Sequence, residues 1–265
     1  MSAVATLERE AESAPRTRVG DDRRPSMARL TKVELRKMFD TRSGFWLPIG
    51  VALAAVITVL ITALSGPAQN HTFTHLFGNA LIPTAILLPL IGVLLVTGEF
   101  SQRTALTTFT LVPSRARVMW AKLAASVACS VAALALCLAV AAAGTVLGSG
   151  SGSGVWALHA VLIPQAFVYL ATAMITGVAF GAALLVSAPA IVLYLLLPTI
   201  WSALASNISA LDGVARWLDA SHAVEPMVRQ GLSGLEWAHA GTALLLWMVL
   251  PLAIGWWRVM RRDVG

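Results

Sequence analysis

Five histidines, two cysteines and a glycine–serine run are the side chains in this sequence best suited to metal or covalent chemistry. His71 and His75, in HTFTH, stand four apart, the spacing at which two imidazoles on one helical face share a metal. A zinc centre takes three or four ligands, and nothing in the sequence draws His159, His222 or His239 to that pair, so they read as polar residues of an interface. GSGSGSG (148–154) gives Ser151 and Ser153 the glycine context of some serine nucleophiles. A nucleophile needs a base aimed at it and a strand–turn–helix setting; neither is present, and the run reads as flexible linker. Cys129 and Cys137 lie eight apart in an apolar stretch, about 12 Å along a helix, beyond disulfide reach. There remains TGEFSQRTALTTFTLVPSRARVMWAK (97–122), with a glutamate, three arginines and a lysine between long apolar stretches.

The elements that must hold these residues are membrane helices. The 265 residues are 57% hydrophobic and 12% charged, with a mean hydropathy of +0.77, where soluble domains carry about 25% charged residues. A net charge of +6 raises nucleic acid as a partner, but membrane topology produces the same excess, and the placement of the charges favours the membrane and no nucleic acid. Residues 1–25, rich in Arg, Glu, Asp, Ser and Pro, are expected to be a disordered cytoplasmic tail, with Met27 a candidate native start. The first apolar run begins near Phe45, too late for a secretory signal.

About 20 apolar residues cross a bilayer as a helix, and six segments fit: about 45–64, 76–97, 123–147, 162–186, 189–204 and 238–257. The fourth and fifth are divided at SAPA, since Pro189 suits the first turn of a helix and disfavours helix at Ala188. The fold class expected is thus all-α and polytopic, a domain over 26–265. Of 19 Lys and Arg, 10 precede Phe45, 4 lie between Glu99 and Lys122, and 3 follow Trp257. Six spans put all three groups on one side, which the positive-inside rule makes cytoplasmic together with both termini.

No ionisable residue lies well inside a span, which argues against ion-coupled transport or proton pumping. Gly144-x-x-x-Gly148 and Gly177-x-x-x-Gly181 allow close helix approach, and Pro83, Pro89 and Pro198 are expected to kink their helices or free carbonyls. Gln165, Tyr169 and Thr172, with Thr58 and Thr62, are the polar groups at depth, either contacting a cargo or hydrogen-bonding between helices.

Residues 27–42 form an amphipathic pattern. Arg29, Lys32, Arg36 and Asp40 share one half of the wheel, Met27, Leu30, Leu35 and Met38 the other, while Val33 and Glu34 break the pattern. Ser26 is a candidate N-cap, and Thr31 with Glu34 has capping-box spacing for a later start. A basic amphipathic helix in the cytoplasmic membrane interface is expected, with Arg29, Lys32, Arg36 and Lys37 facing lipid phosphates. In the loop, Glu99 and Arg103 have a favourable i, i+4 order, Pro113-Ser114 can start the third span, and TALTTFTLV suits an anchored helix docking in another protein's groove.

These two segments carry a resemblance. ELRKMFDTRSGFW before the first span, GEFSQRTALTTFTLVPSRARVMWAK after the second, and a large outer segment (205–237) before the last resemble the permease of a type 2 ATP-binding cassette exporter, over about 27–260. The resemblance implies that Gly98, Glu99, Phe100, Arg103, Thr104, Pro113, Arg115, Arg117 and Lys122 belong to the loop (98–122) that meets the ATPase, with a coupling helix at about 100–113. It further implies a separate nucleotide-binding subunit that holds ATP and Mg2+, a second permease copy or a paralogue, and partly re-entrant helices at 205–237. The chain has no G-x-x-x-x-G-K-[ST] loop, so no cofactor of its own and no ATPase site are expected. Its expected role is to move a hydrophobic or amphipathic substrate outward across a bacterial cell membrane. A membrane-embedded enzyme and a non-transporting scaffold or immunity subunit are the alternatives.

Overall fold

The computed structural model describes residues 25–67, 71–101, 114–148, 154–208, 211–219 and 233–261, apart from the side chains of Asp212 and Arg216. Helices account for 88% of the described residues, and none of these forms a strand. A short α1 (Met27–Phe39) turns at Thr41 into α2 (Arg42–Ser65), followed by α3 (Phe73–Ser101), α4 (Arg115–Leu147), α5 (Leu162–Leu184) and α6 (Ser187–Asn207). After α7 (Asp212–Leu218), α8 (Gly234–Leu244) runs through a π-helical turn (Leu245–Val249) into α9 (Leu250–Arg261).

Six helices are long and apolar enough to cross a membrane: α2 to α6, and α8 with α9 as one rod. These features make the chain a multi-pass membrane protein. The six match the six expected segments, and most extend beyond the apolar windows at one or both ends. The central element is α3, 67% of whose most apolar window is buried, against 22% for α2 and 11% for α6. The outer helices present Leu53, Ile57, Ile61 and Leu64, or Val192, Leu196, Ile200 and Leu204. Such faces would be a large aggregation liability in water, but lipid tails are as apolar as leucine.

Close packing of α3 on α5 depends on the expected glycine pair. A Cβ on Gly177 would collide with the Pro89 carbonyl, and one on Gly181 would stand 2.9 Å from the Val93 carbonyl oxygen. The small-residue spacing therefore serves a contact within the chain. Pro83 and Pro89 lie inside α3 without dividing it, as does Pro198 in α6.

The break between α5 and α6 falls slightly earlier than SAPA suggests, at Leu185. This residue is left-handed (φ 59°, ψ 10°), its amide bonded to the Gly181 carbonyl at 2.8 Å. That conformation costs a non-glycine residue about 1–2 kcal/mol, and burial of the Leu185 side chain in the core offsets it. Pro189 then occupies the third position of α6, where its missing N–H forfeits no helical bond. The π-helical turn has a similar origin. Pro251 follows it, its ring crowds the carbonyl of Trp247, and a wider turn makes room.

Candidate functional site

At the end of the bundle where α1 packs, four charged side chains from three helices meet. Glu34 comes from α1, one turn before Met38, on the face turned toward the core. Lys37 is on the same helix, Glu99 in the last turn of α3, and Lys122 in the third turn of α4. Lys122 Nζ lies 2.6 Å from Glu34 Oε2 and 3.2 Å from Glu99 Oε1, while Lys37 Nζ lies 2.6 Å from Glu99 Oε1 and 2.9 Å from Glu34 Oε1. Lys122 also donates to the Leu95 carbonyl at 3.0 Å.

Two carboxylates and two ammonium groups form a charge-balanced quartet. Its neutrality is what permits burial: a lone charge taken out of water costs several kcal/mol, whereas a well-bonded group of opposite charges recovers much of that. Glu34, Glu99 and Lys122 are 4%, 7% and 3% exposed, and Lys37 closes the group on the wetter side. Burial works against the Lys37 ammonium, but the carboxylates of Glu99 and Glu34 outweigh it and hold its pKa above the ordinary lysine value.

α1 carries out this fastening because of its own local sequence. Ser26 caps it, accepting from the Arg29 amide at 3.3 Å, while Thr31 donates to the Met27 carbonyl instead of forming the alternative cap. Arg29, Lys32 and Arg36 are exposed, and Met38 joins the core. Thr41 caps α2 by accepting from the Gly44 amide at 2.9 Å, which fixes the corner between the two helices. α1 packs on the chain's own α4, α2 and α3, while Met27, Val33 and Phe39 remain exposed.

Arginines complete this end. Arg115 donates to the Val259 and Met260 carbonyls at 3.0 and 3.3 Å, and Arg258 to that of Ala183 at 2.7 Å. These acceptors lie in the last turns of α9 and α5, whose carbonyls lack helical partners and carry the negative end of the helix dipole. Arg117 reaches the Pro25 carbonyl at 2.5 Å. Basic residues thus tie helix ends together here.

Of the residues named for the loop, Gly98, Glu99 and Phe100 are the last turn of α3, with Phe100 packed on the core. Arg115, Arg117 and Lys122 lie in the first turns of α4 after its N-cap Ser114. Arg103, Thr104 and Pro113, and with them the Glu99–Arg103 pairing and most of the expected coupling helix, lie outside the described residues, as do Ser151 and Ser153 and the tail 1–24. Glu34 was missed as a site residue, although its position amid the apolar face of α1 was the available signal.

The polar groups at depth do not converge on one another in the same way. Thr172 bonds back to the Val168 and Tyr169 carbonyls of its own helix, Thr58 to that of Ala54, and Gln165 is buried. Across helices, Asn79 donates to Thr62 at 3.2 Å, and Thr97 shares a hydrogen bond with Ser187 at 2.7 Å.

The far end is built differently. The ring nitrogens of His71 face the Gly148 and Gly66 carbonyls at 3.0 and 3.1 Å. The Phe73 amide donates to Val155 O at 2.8 Å, and Phe73 stacks on Trp156. Nearby elements follow the same pattern: Trp247 donates to Leu218 O and Thr242 to Trp217 O, both at 2.8 Å. Among the described residues, no three His, Cys, Asp or Glu side chains gather as a metal set. Compared with protein-family models and with curated proteins, the chain finds no match.

Proposed function

We propose that this chain is the membrane-spanning permease subunit of an ATP-driven exporter of the type 2 ATP-binding cassette class. In this reading the N-terminal helix, the 98–122 loop and both termini are cytoplasmic, and α1 lies in the membrane interface. A separate ATPase subunit holds ATP and Mg2+, and the working unit contains a second permease copy or a paralogue. A hydrophobic or amphipathic substrate moves outward across the bacterial cell membrane, along a route for which Gln165, Tyr169 and Thr172 are candidates.

The observation that carries the proposal is the quartet. Glu99 and Lys122 flank the polar segment 102–113, and both are tied to Glu34 or Lys37 of α1. Force applied to that segment by a docked ATPase would pass into α1, α3 and α4 together, the kind of rigid-body bias a two-state transporter requires. A membrane enzyme would instead present ionisable groups to a substrate, whereas these four are bonded to one another.

The test begins with the chain isolated from its native membrane in mild detergent. A companion subunit that hydrolyses MgATP should co-purify, and substrate should stimulate hydrolysis once both are reconstituted in proteoliposomes. Replacing Phe100, Arg103 and Thr104 together by alanine should uncouple hydrolysis from transport while leaving membrane insertion intact. Transport by the isolated chain without nucleotide would overturn the proposal.

A further inference from the structure

Beside the quartet, a partly open cavity of about 640 Å3 lies among α1, α2, α3 and α4, within the roughly 300–1,000 Å3 range of pockets that take small ligands. Leu47, Ile91, Leu94 and Leu95 give it an apolar wall. Its charged lining is unequal: Glu34, Glu99 and Asp40 against Lys37. Glu34 and Glu99 are already neutralised by Lys37 and by Lys122 behind the wall. Asp40 is the excess charge.

Asp40 also sits at the C-cap of α1, where the helix dipole is negative and a carboxylate is disfavoured. A cation placed there would meet the carboxylate and the last carbonyls of α1 at once. Lys37 lines the cavity but is bonded to Glu34 and Glu99, and the other basic residues near Asp40 in sequence, Arg36 and Arg42, are exposed and line no part of it. An anion would face the excess Asp40 carboxylate, and a small hydrophilic cation would leave the apolar wall unused.

We propose that this cavity is a binding site for an amphipathic monocation, its apolar body against Leu47, Ile91, Leu94 and Leu95 and its positive centre at Asp40. The inference goes beyond the exporter reading and does not rest on it, because binding requires neither nucleotide nor a second subunit.

Two probes of the same shape and opposite charge test it: tetraphenylphosphonium and tetraphenylborate. Each is measured by equilibrium dialysis against the chain in lipid nanodiscs, with empty nanodiscs subtracted. Saturable binding of about one phosphonium per chain is expected, with the borate at least about tenfold weaker. A Cβ on Gly98, which also lines the cavity, would meet nothing within 4 Å. Gly98→Leu therefore starts its side chain in open space beside the cavity and should abolish saturable binding. Asp40→Asn, at an exposed position, should weaken the phosphonium about tenfold without weakening the borate, and melting curves of both variants check their folding. Equal saturable binding of the two ions, no saturable phosphonium binding, or phosphonium binding indifferent to both substitutions would overturn the proposal.

Discussion

The two ends of the bundle are held by different chemistry. Where α1 packs, four charges on three helices close a buried ring, and arginines cap the last turns of α5 and α9. At the far end side chains and amides bond to carbonyls with aromatic rings in support, and the carboxylates of Asp219 and Glu236 accept from Ser202 Oγ and the Ser233 amide. Buried charges are sensitive to the loss of one partner, because the others are left unpaired away from water. Neutral hydrogen bonds exchange with water at little net loss. One end is therefore fastened so that three helices move together, and the other is assembled from separable contacts.

The largest effect should come from Lys122→Met, which takes the buried ammonium from Glu34 and Glu99 and leaves Lys37 between them. A loss of about 3–5 kcal/mol is expected for breaking such a group, read as a lower melting temperature in detergent. Overpacking the α3–α5 contact with Gly177→Val should cost about 1–3 kcal/mol without altering the alkaline limb of stability. At the far end, His71→Ala removes the imidazole from between the α2 and α4 C-caps and should cost only about 1–2 kcal/mol. A loss there equal to that of Lys122→Met would erase the contrast between the ends.

Lys37 gives the smallest effect, since about a third of its side chain is exposed. Its pKa is raised on folding, so its contribution is fully present below the ordinary lysine value near 10.4 and is lost as pH rises through the raised value. Melting temperatures of the parent chain and Lys37→Gln should differ at neutral pH and converge under strong alkali. A constant difference would remove Lys37 from the ring.

The helices were legible in the sequence because hydrophobic length is a local property. Their extents were less so. The windows stop at Thr97 and Leu123, yet α3 reaches Ser101 and α4 begins at Arg115, and Glu99 and Lys122 can be enclosed within them only because each has a counter-charge from α1. That pairing joins residues 62 and 88 apart and leaves no mark in periodicity except the misfit of Glu34. Pro189 marked the α5–α6 division to within a few residues, but the left-handed Leu185 depends on tertiary burial that no turn residue announces. Pro251 is a readable signal for the π-helical turn.

A double-mutant cycle on Glu34 and Lys122 tests the central claim most directly. Glu34→Gln, Lys122→Met and the double variant are compared with the parent by unfolding in detergent. A coupling energy above about 1 kcal/mol is predicted, with the double variant more stable than the sum of the single losses allows. Losses that add to within about 0.5 kcal/mol would contradict it, because α1 would then not be fastened to α4 through this pair.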